Sequence, residues 1–191
     1  MLNAPGVLHC LERLVRFIVE GAPYAPLRMS QTTPPTRRTP EEQQRLHEAI
    51  RIIFEERVTF NRLLGIRITS FDPQDPRVCF DMRPDLVGEF NSPRLHGGVT
   101  ASVLDATAGL GIMLGLGEKF AHESAEQIAL RIRKVGTIDL RIDYLRLGQA
   151  PAYEARAFIT RLGGRIASAR MELHGSDGIM VATGAASFVT S

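Results

Sequence analysis

The last third of the chain alternates between apolar and polar residues with a period of two, which is typical of a strand with one buried and one solvated face. The apolar members are Ile138, Leu140, Ile142 and Tyr144, and the polar members between them are Asp139, Arg141 and Asp143. Similar alternation predicts three more strands over residues 153–161, 165–174 and 179–189. Glycine-containing turns at 163–164 and 175–178 join them, so the pattern predicts a four-stranded antiparallel meander.

A helix and two strands are predicted upstream. Thr39 can cap the helix, Pro40 suits its first position, and Glu42 completes a capping box. The predicted helix runs to about residue 64, where Gly65 ends it. Its apolar stripe comprises Leu46, Ile50, Ile53, Phe60 and Leu64. Alternation over 66–71 and 77–82 predicts two strands joined by a turn at 72–76, and residues 84–95 read as a loop.

Residues 97–117 are apolar or small, and Asp105 is their only charged residue. A helix that is apolar all round is most simply buried in a core. The segment is long enough to span a membrane, but its glycines, its hydroxyl residues and the central carboxylate make it a poor span. Residues 117–135 are polar, with a short helical piece. The order of elements therefore predicts an α+β fold, in which an antiparallel sheet curls around one central helix.

Composition adds the domain plan. The chain has 191 residues with a net charge of +2, which fits one domain and an appendage. Proline-rich residues 1–39, with a weak helix over 8–19, read as an N-terminal appendage and linker, and 40–191 as the domain. The sequence has no basic patch with interleaved aromatic residues, so nothing in it indicates nucleic-acid binding. Cys10 and Cys79 form neither metal-ligand spacing nor a disulfide framework, which suits a reducing, cytoplasmic compartment.

The start of the central helix carries the candidate chemistry. Its first N–H groups have no partner within the helix, and Gly97 and Gly98 let a ligand oxygen approach them. A carboxylate such as Asp105 is costly on an apolar helix unless it is used or paired. Gly97 and Asp105 lie eight residues apart, or ~12 Å along a helix, whereas reacting groups must meet within ~3 Å. Two antiparallel copies of the helix would bring them together, so a catalytic motif implies at least a dimer.

This order of elements resembles the hot-dog fold acyl-CoA thioesterases, most closely the group typified by the phenylacetate-pathway (PaaI-like) thioesterase. The resemblance covers roughly residues 57–190 and rests on three motifs: His-Gly-Gly at 96–98 with Asp105 nine residues after the histidine, Thr-Ile-Asp-Leu-Arg-Ile-Asp-Tyr-Leu-Arg at 137–146, and Gly-Ala-Ala-Ser-Phe-Val at 184–189. Two positions depart from it. Asn91 lies five residues before the histidine, where the family often has an asparagine six before, and Leu147 replaces a frequent proline.

The resemblance implies roles for individual residues. Asp105 would be the general base or nucleophile, and the N–H of Gly97 from a partner subunit would bind the thioester carbonyl. Thr137 would hold the attacking water, and His96 would orient the oxyanion loop. Gly98, Asn91 and Arg146 would contact the substrate, with Arg146 suited to the phosphates of coenzyme A. The family implies an acyl-CoA substrate, a homodimer or homotetramer, and no metal or organic cofactor.

Other interpretations stay open. Asp105 could be a structural carboxylate, Thr137 could bond only to backbone, and Arg146 could belong to a solvated strand face. A non-catalytic acyl-CoA or acyl-carrier sensor is a second function, although a sensor has no need of a carboxylate facing the thioester. A hot-dog dehydratase or hydratase is a third, but the histidine-centred motifs of those enzymes are absent.

Overall fold

The computed structural model describes residues 36–89 and 91–191. The helix predicted over 8–19 and most of the appendage lie outside this range. Eight strands and four α-helices make up the described part of the chain. The helices are α1 (Pro40–Arg51), α2 (Thr59–Leu64), α3 (Gly97–Lys119) and α4 (Ala125–Ile132). The strands are β1 (Arg67–Ser70), β2 (Arg77–Asp81), β3 (Val87–Glu89), β4 (Arg94–Leu95), β5 (Gly136–Tyr144), β6 (Ala152–Leu162), β7 (Ile166–Gly175) and β8 (Met180–Val189).

Six strands form one antiparallel sheet in the order β1-β2-β6-β7-β8-β5, so the predicted antiparallel sheet is confirmed, whereas the prediction that the last four strands form a meander is wrong for β5. The last four strands pair in sequence except that β5 lies beside β8, at the edge of the sheet. One edge, β1, has four residues, whereas the other, β5, has nine. The β5 edge therefore offers the longer row of unpaired backbone N–H and C=O groups to another strand.

Helix α3 packs across the concave face of this sheet, against β5 to β8. Twelve of its 23 residues are buried, including Val103, Leu104 and Leu110. In length and mean hydropathy α3 would suffice to cross a membrane, but 67% of its most apolar window is buried inside the protein. It is the core helix of a sheet-wrapped domain, and this arrangement confirms the predicted α+β hot-dog fold.

The N-terminal helix differs from the single helix predicted over residues 40–64. Helix α1 ends at Arg51, residues 52–57 form a π-helical segment, and Val58 adopts an extended conformation before α2 begins. Wider π turns and an extended residue shift the phase of the apolar stripe. Leu46, Ile50 and Leu64 are buried as predicted, whereas the side chain of Phe60 is 52% exposed.

Two connecting segments carry more structure than the sequence indicates. The predicted loop over 84–95 contains a 3₁₀ turn at Pro84–Leu86 and the small hairpin of β3 and β4. Tertiary hydrogen bonds stabilise it, since His96 N–H donates to the carbonyl of Leu86 and Leu95 N–H to that of Gly148. The short helical piece predicted within 117–135 is confirmed as α4, with a full capping box at Ser124.

Arg38 fixes the C-terminal end of α3. Its guanidinium is only 8% exposed and donates to the carbonyl oxygens of Gly117, Phe120 and Glu123. These carbonyls belong to the last turn of α3 and the turn after it, where the helix leaves acceptors without partners and a negative dipole end. Arg37 pairs there with Glu118 at 2.6 Å. The division between appendage and domain at residue 39 stays a prediction, but both arginines contact the domain.

We expect Arg38→Ala to destabilise the protein by about 2–4 kcal/mol, because hydrogen bonds to a charged group are worth ~1.5–3 kcal/mol and three carbonyls, one in a buried and two in part-buried hydrogen bonds, lose their donor. Arg37→Ala is the matched control. Its ion pair with Glu118 is exposed, so it should cost less than ~1 kcal/mol. Urea unfolding of both variants measures the difference. Equal small effects would show that Arg38 does not hold the end of α3.

Candidate active site

The first turn of α3 is organised by His96. This residue is the N-cap, and its Nδ1 accepts a hydrogen bond from the N–H of Gly98 at 2.9 Å. An accepting Nδ1 requires the tautomer with its proton on Nε2, which directs a donor away from the helix. A Cβ atom on residue 98 would lie 2.9 Å from Nδ1. Glycine at 98 is therefore a requirement of the cap.

The cap decides which backbone donor is free. The N–H of Gly98 is already bonded to the imidazole, and that of Thr100 donates to the carbonyl of His96. Within residues 36–89 and 91–191, no acceptor is bonded to the N–H of Gly97. The open donors at this helix terminus are thus the N–H groups of Gly97 and Val99, while Gly98 shapes the loop and stays a prediction as a substrate contact.

The edge strand β5 touches α3 at two places. At its C-terminal end the hydroxyl of Tyr144 donates to the carbonyl of Gly97 at 2.8 Å. At its N-terminal end the hydroxyl of Thr137 donates to Oδ1 of Asp105 at 2.9 Å. Strand and helix therefore run antiparallel, and the edge strand holds both the N-terminal end of the helix and its carboxylate.

A β-bulge places Thr137 against the helix. Thr137 pairs with the buried Phe188 on the neighbouring strand, whereas Asp139 pairs with Ser187, which lies on the outer face. The extra residue between them is Ile138, whose side chain is 55% exposed. Regular alternation would place residues 137 and 139 on the same face. The bulge instead turns Thr137 inward to Asp105 and leaves Asp139 outward.

The surroundings of Asp105 are neutral. No ion pair joins its carboxylate to a cation anywhere in the described part of the chain. Four carboxylates on the strands do form ion pairs with arginines: Asp81, Asp143, Glu154 and Glu172. The Thr137–Asp105 hydrogen bond lies at the exposed margin of the domain. Three cavities of about 330, 520 and 540 Å³ lie elsewhere, and none of those three is lined by Asp105.

Two further predicted residues lie apart from the carboxylate. Asn91 is exposed in the turn between β3 and β4, where its backbone N–H donates to Glu89. Arg146 follows β5 at the Gly97 end of the strand, and its guanidinium reaches the carbonyl of Met180 at 3.5 Å. Neither side chain contacts Asp105 or Thr137 in the described structure, so their roles as substrate contacts stay predictions.

The structure adds two residues that the sequence pattern hides. Tyr144 looks like an ordinary strand aromatic, yet its hydroxyl holds the first carbonyl of α3. Gly88 lies beneath the cap, because a Cβ there would sit 2.8 Å from the Cα of His96. The hydroxyl of Tyr144, at the end of an otherwise apolar strand face, is a sequence signal that could have indicated its role. No feature of the sequence marks Gly88.

A model of the thioesterase superfamily matches residues 93–182, which contain Gly97, Asp105 and Thr137. Over 137 residues the chain is 34% identical to two proteins named medium/long-chain acyl-CoA thioesterase YigI, one from Salmonella typhimurium and one from Escherichia coli. Each match spans 72% of this chain and 88% of the relative.

A solved structure from Shewanella oneidensis, described as related to the thioesterase superfamily, superposes with a TM-score of 0.75 at 34% identity. It covers 81% of this chain and all of its own. The sheet-wrapped helix, the capped glycine turn and these relatives agree, and the chain belongs to the thioesterase superfamily.

Proposed function

We propose that this protein hydrolyses the thioester of an acyl-CoA to the free acid and coenzyme A. The observation that carries the proposal is the hydrogen bond from Thr137 to one oxygen of Asp105, on a helix whose N-terminus offers the open N–H of Gly97. The names of the relatives support acyl-CoA as the substrate class, with medium or long chains. The motif over 95–105 supports placement in the phenylacetate-pathway type of the superfamily.

The geometry of β5 supports a site shared between two copies. Pairing two β5 edges antiparallel about a point between Leu140 and Arg141 sets residue 137 of one copy opposite residue 144 of the other. Thr137 contacts Asp105 and Tyr144 contacts Gly97. This pairing would therefore carry Gly97 of one subunit to Asp105 of its partner, across the ~12 Å that separates them on one helix.

In this arrangement each group has one task. The N–H of Gly97 donates to the thioester oxygen and stabilises the negative charge that develops on it. Thr137 occupies Oδ1 of Asp105, which leaves Oδ2 to take a proton from water or to attack the carbonyl carbon. His96 keeps the glycine turn open through its bond to Gly98. The thiolate of coenzyme A then leaves, and the acid is released either directly or by hydrolysis of an aspartyl anhydride.

Charges beside β5 suit the phosphates of coenzyme A. Lys134 is exposed three residues before Thr137, and Arg165 is exposed in the turn that follows β6. Arg146 stands at the opposite end of β5. Cationic side chains at either end of the proposed cleft would attract the nucleotide portion of the substrate without touching the reacting atoms.

The first test removes the carboxylate charge. Asp105→Asn is nearly isosteric, so folding and assembly should persist while kcat falls by at least ~10²-fold, the usual contribution of a general base. Thr137→Val should lower kcat by about 10- to 100-fold, since a hydrogen bond to a charged group is worth ~1.5–3 kcal/mol, and Thr137→Ser should restore most of it. Release of free thiol from a series of acyl-CoAs gives kcat and KM.

Thermal unfolding of the same preparations supplies the control. A structural carboxylate would reverse the pattern, with a lower midpoint for Asp105→Asn and nearly parental turnover per folded molecule. A sensor would bind acyl-CoA and release no thiol even as the parent protein. Either result contradicts the proposed chemistry.

The second test addresses the shared site. We expect Asp105→Asn subunits and Gly97→Val subunits to be inactive alone and to regain activity when mixed, because a mixed dimer holds one site with both groups intact. Val at 97 should obstruct the donor at the helix start, since a Cβ added there would lie 3.4 Å from the Tyr144 ring. Native mass spectrometry confirms exchange. Complete exchange without any recovered turnover would place both groups within one subunit's own site.

A further inference from the structure

Helix α2 presents an apolar surface to solvent. Val58, Phe60 and Leu63 are 41%, 52% and 61% exposed. Phe60 and Leu63 are three residues apart, so they are neighbours on the same face of the helix. This face is a fixed feature, because the opposite side is held by the buried residues Asn61 and Leu64. Asn61 donates from its amide to the carbonyl of Phe54 at 3.0 Å.

Other exposed apolar side chains have a simpler explanation. Ile138 and Tyr144 lie on β5, and Leu145 and Leu147 follow it, next to the edge that the proposed dimer pairs. Helix α2 leads into β1, which lies at the opposite edge of the sheet from β5. Pairing of two β5 edges therefore does not by itself account for the apolar face of α2.

Charge beside this face is predominantly positive. Arg57 and Arg62 are exposed, and within the described residues neither guanidinium has a hydrogen bond or ion pair. Of the carboxylates close by in the chain, Glu55 is bonded to Arg51 and to the N–H of Ile68, and only Glu56 is unpaired. The surface formed by Arg57, Val58, Phe60, Arg62 and Leu63 is here called the α2 patch.

We propose that the α2 patch docks the protein on anionic lipid bilayers. Apolar side chains that enter the boundary between headgroups and acyl chains, flanked by unpaired arginines that meet anionic headgroups, are the features of an interfacial anchor. Three apolar residues give weak, reversible association. The proposed dimer would present two α2 patches, which would strengthen the association with the bilayer. This inference stands apart from the proposed hydrolysis, because bilayer binding is measured without turnover.

The test compares full-length variants on sedimented vesicles. The parent should bind vesicles of phosphatidylcholine with phosphatidylglycerol more tightly than vesicles of phosphatidylcholine alone, and added salt should reduce the difference. Phe60→Ser with Leu63→Ser should weaken binding to both vesicle types by at least ~10-fold. Arg57→Ala with Arg62→Ala should weaken binding only to the anionic vesicles, by ~5-fold per arginine.

The matched control is Ile179→Ser with Arg170→Ala, which removes one exposed apolar residue and one exposed arginine away from α2. It should bind as the parent does, and thermal midpoints should be alike for all variants. Equal binding by the parent and both α2 variants, or no binding at all, overturns the proposal.

Two further results would assign the patch to another occupant and overturn the proposal equally. A change in sedimentation coefficient for the serine pair would assign it to a second copy of the chain. A higher KM for soluble medium-chain acyl-CoA, with vesicle binding unchanged, would assign it to the acyl chain of the substrate.

Discussion

The burial of α3 is the constraint on which the rest of the structure depends. This helix is apolar on nearly every side, and a sheet can cover it only by curling around it. Strands β5 to β8 supply that cover, while α2 and α4 pack against other sides of the helix. What stays uncovered is the margin beside β5, where Gly98, Ser102 and Asp105 follow one another along the helix. The fold therefore leaves Asp105, the one carboxylate in the apolar body of α3, partly exposed at this margin.

Edge strand β5 connects the fold to the chemistry. It lies on the rim of the sheet, yet its two ends hold α3 through the hydroxyls of Thr137 and Tyr144. The bulge at Ile138 makes this possible, because it reverses the face to which the strand's first residues point. A strand that both positions the carboxylate and offers an unpaired edge would join assembly to catalysis, since disrupting one would disturb the other.

The two ends of α3 are stabilised by different means. At the N-terminus a neutral imidazole accepts one backbone N–H and leaves the preceding one open, as an oxyanion site requires. At the C-terminus the guanidinium of Arg38 satisfies three carbonyls and complements the negative end of the dipole. The C-terminal end is closed by a side chain, whereas the N-terminal end keeps backbone donors open.

The sequence by itself determined the order of elements, the burial of α3, the antiparallel sheet and the presence of the glycine turn and Asp105 on one helix, because period-two and all-apolar patterns directly reflect burial. It could not show that Thr137 meets Asp105, since simple alternation puts residue 137 on the outer face and only pairing with β8 reveals the bulge. Nor could it show that Phe60 is exposed, because the π-helical turn that shifts its phase is tied to β1 by a tertiary contact, the hydrogen bond from the N–H of Ile68 to Glu55. Local patterns fix which face of an element is apolar, whereas irregularities such as bulges, π turns and the burial of Arg38 follow from neighbours distant in the chain.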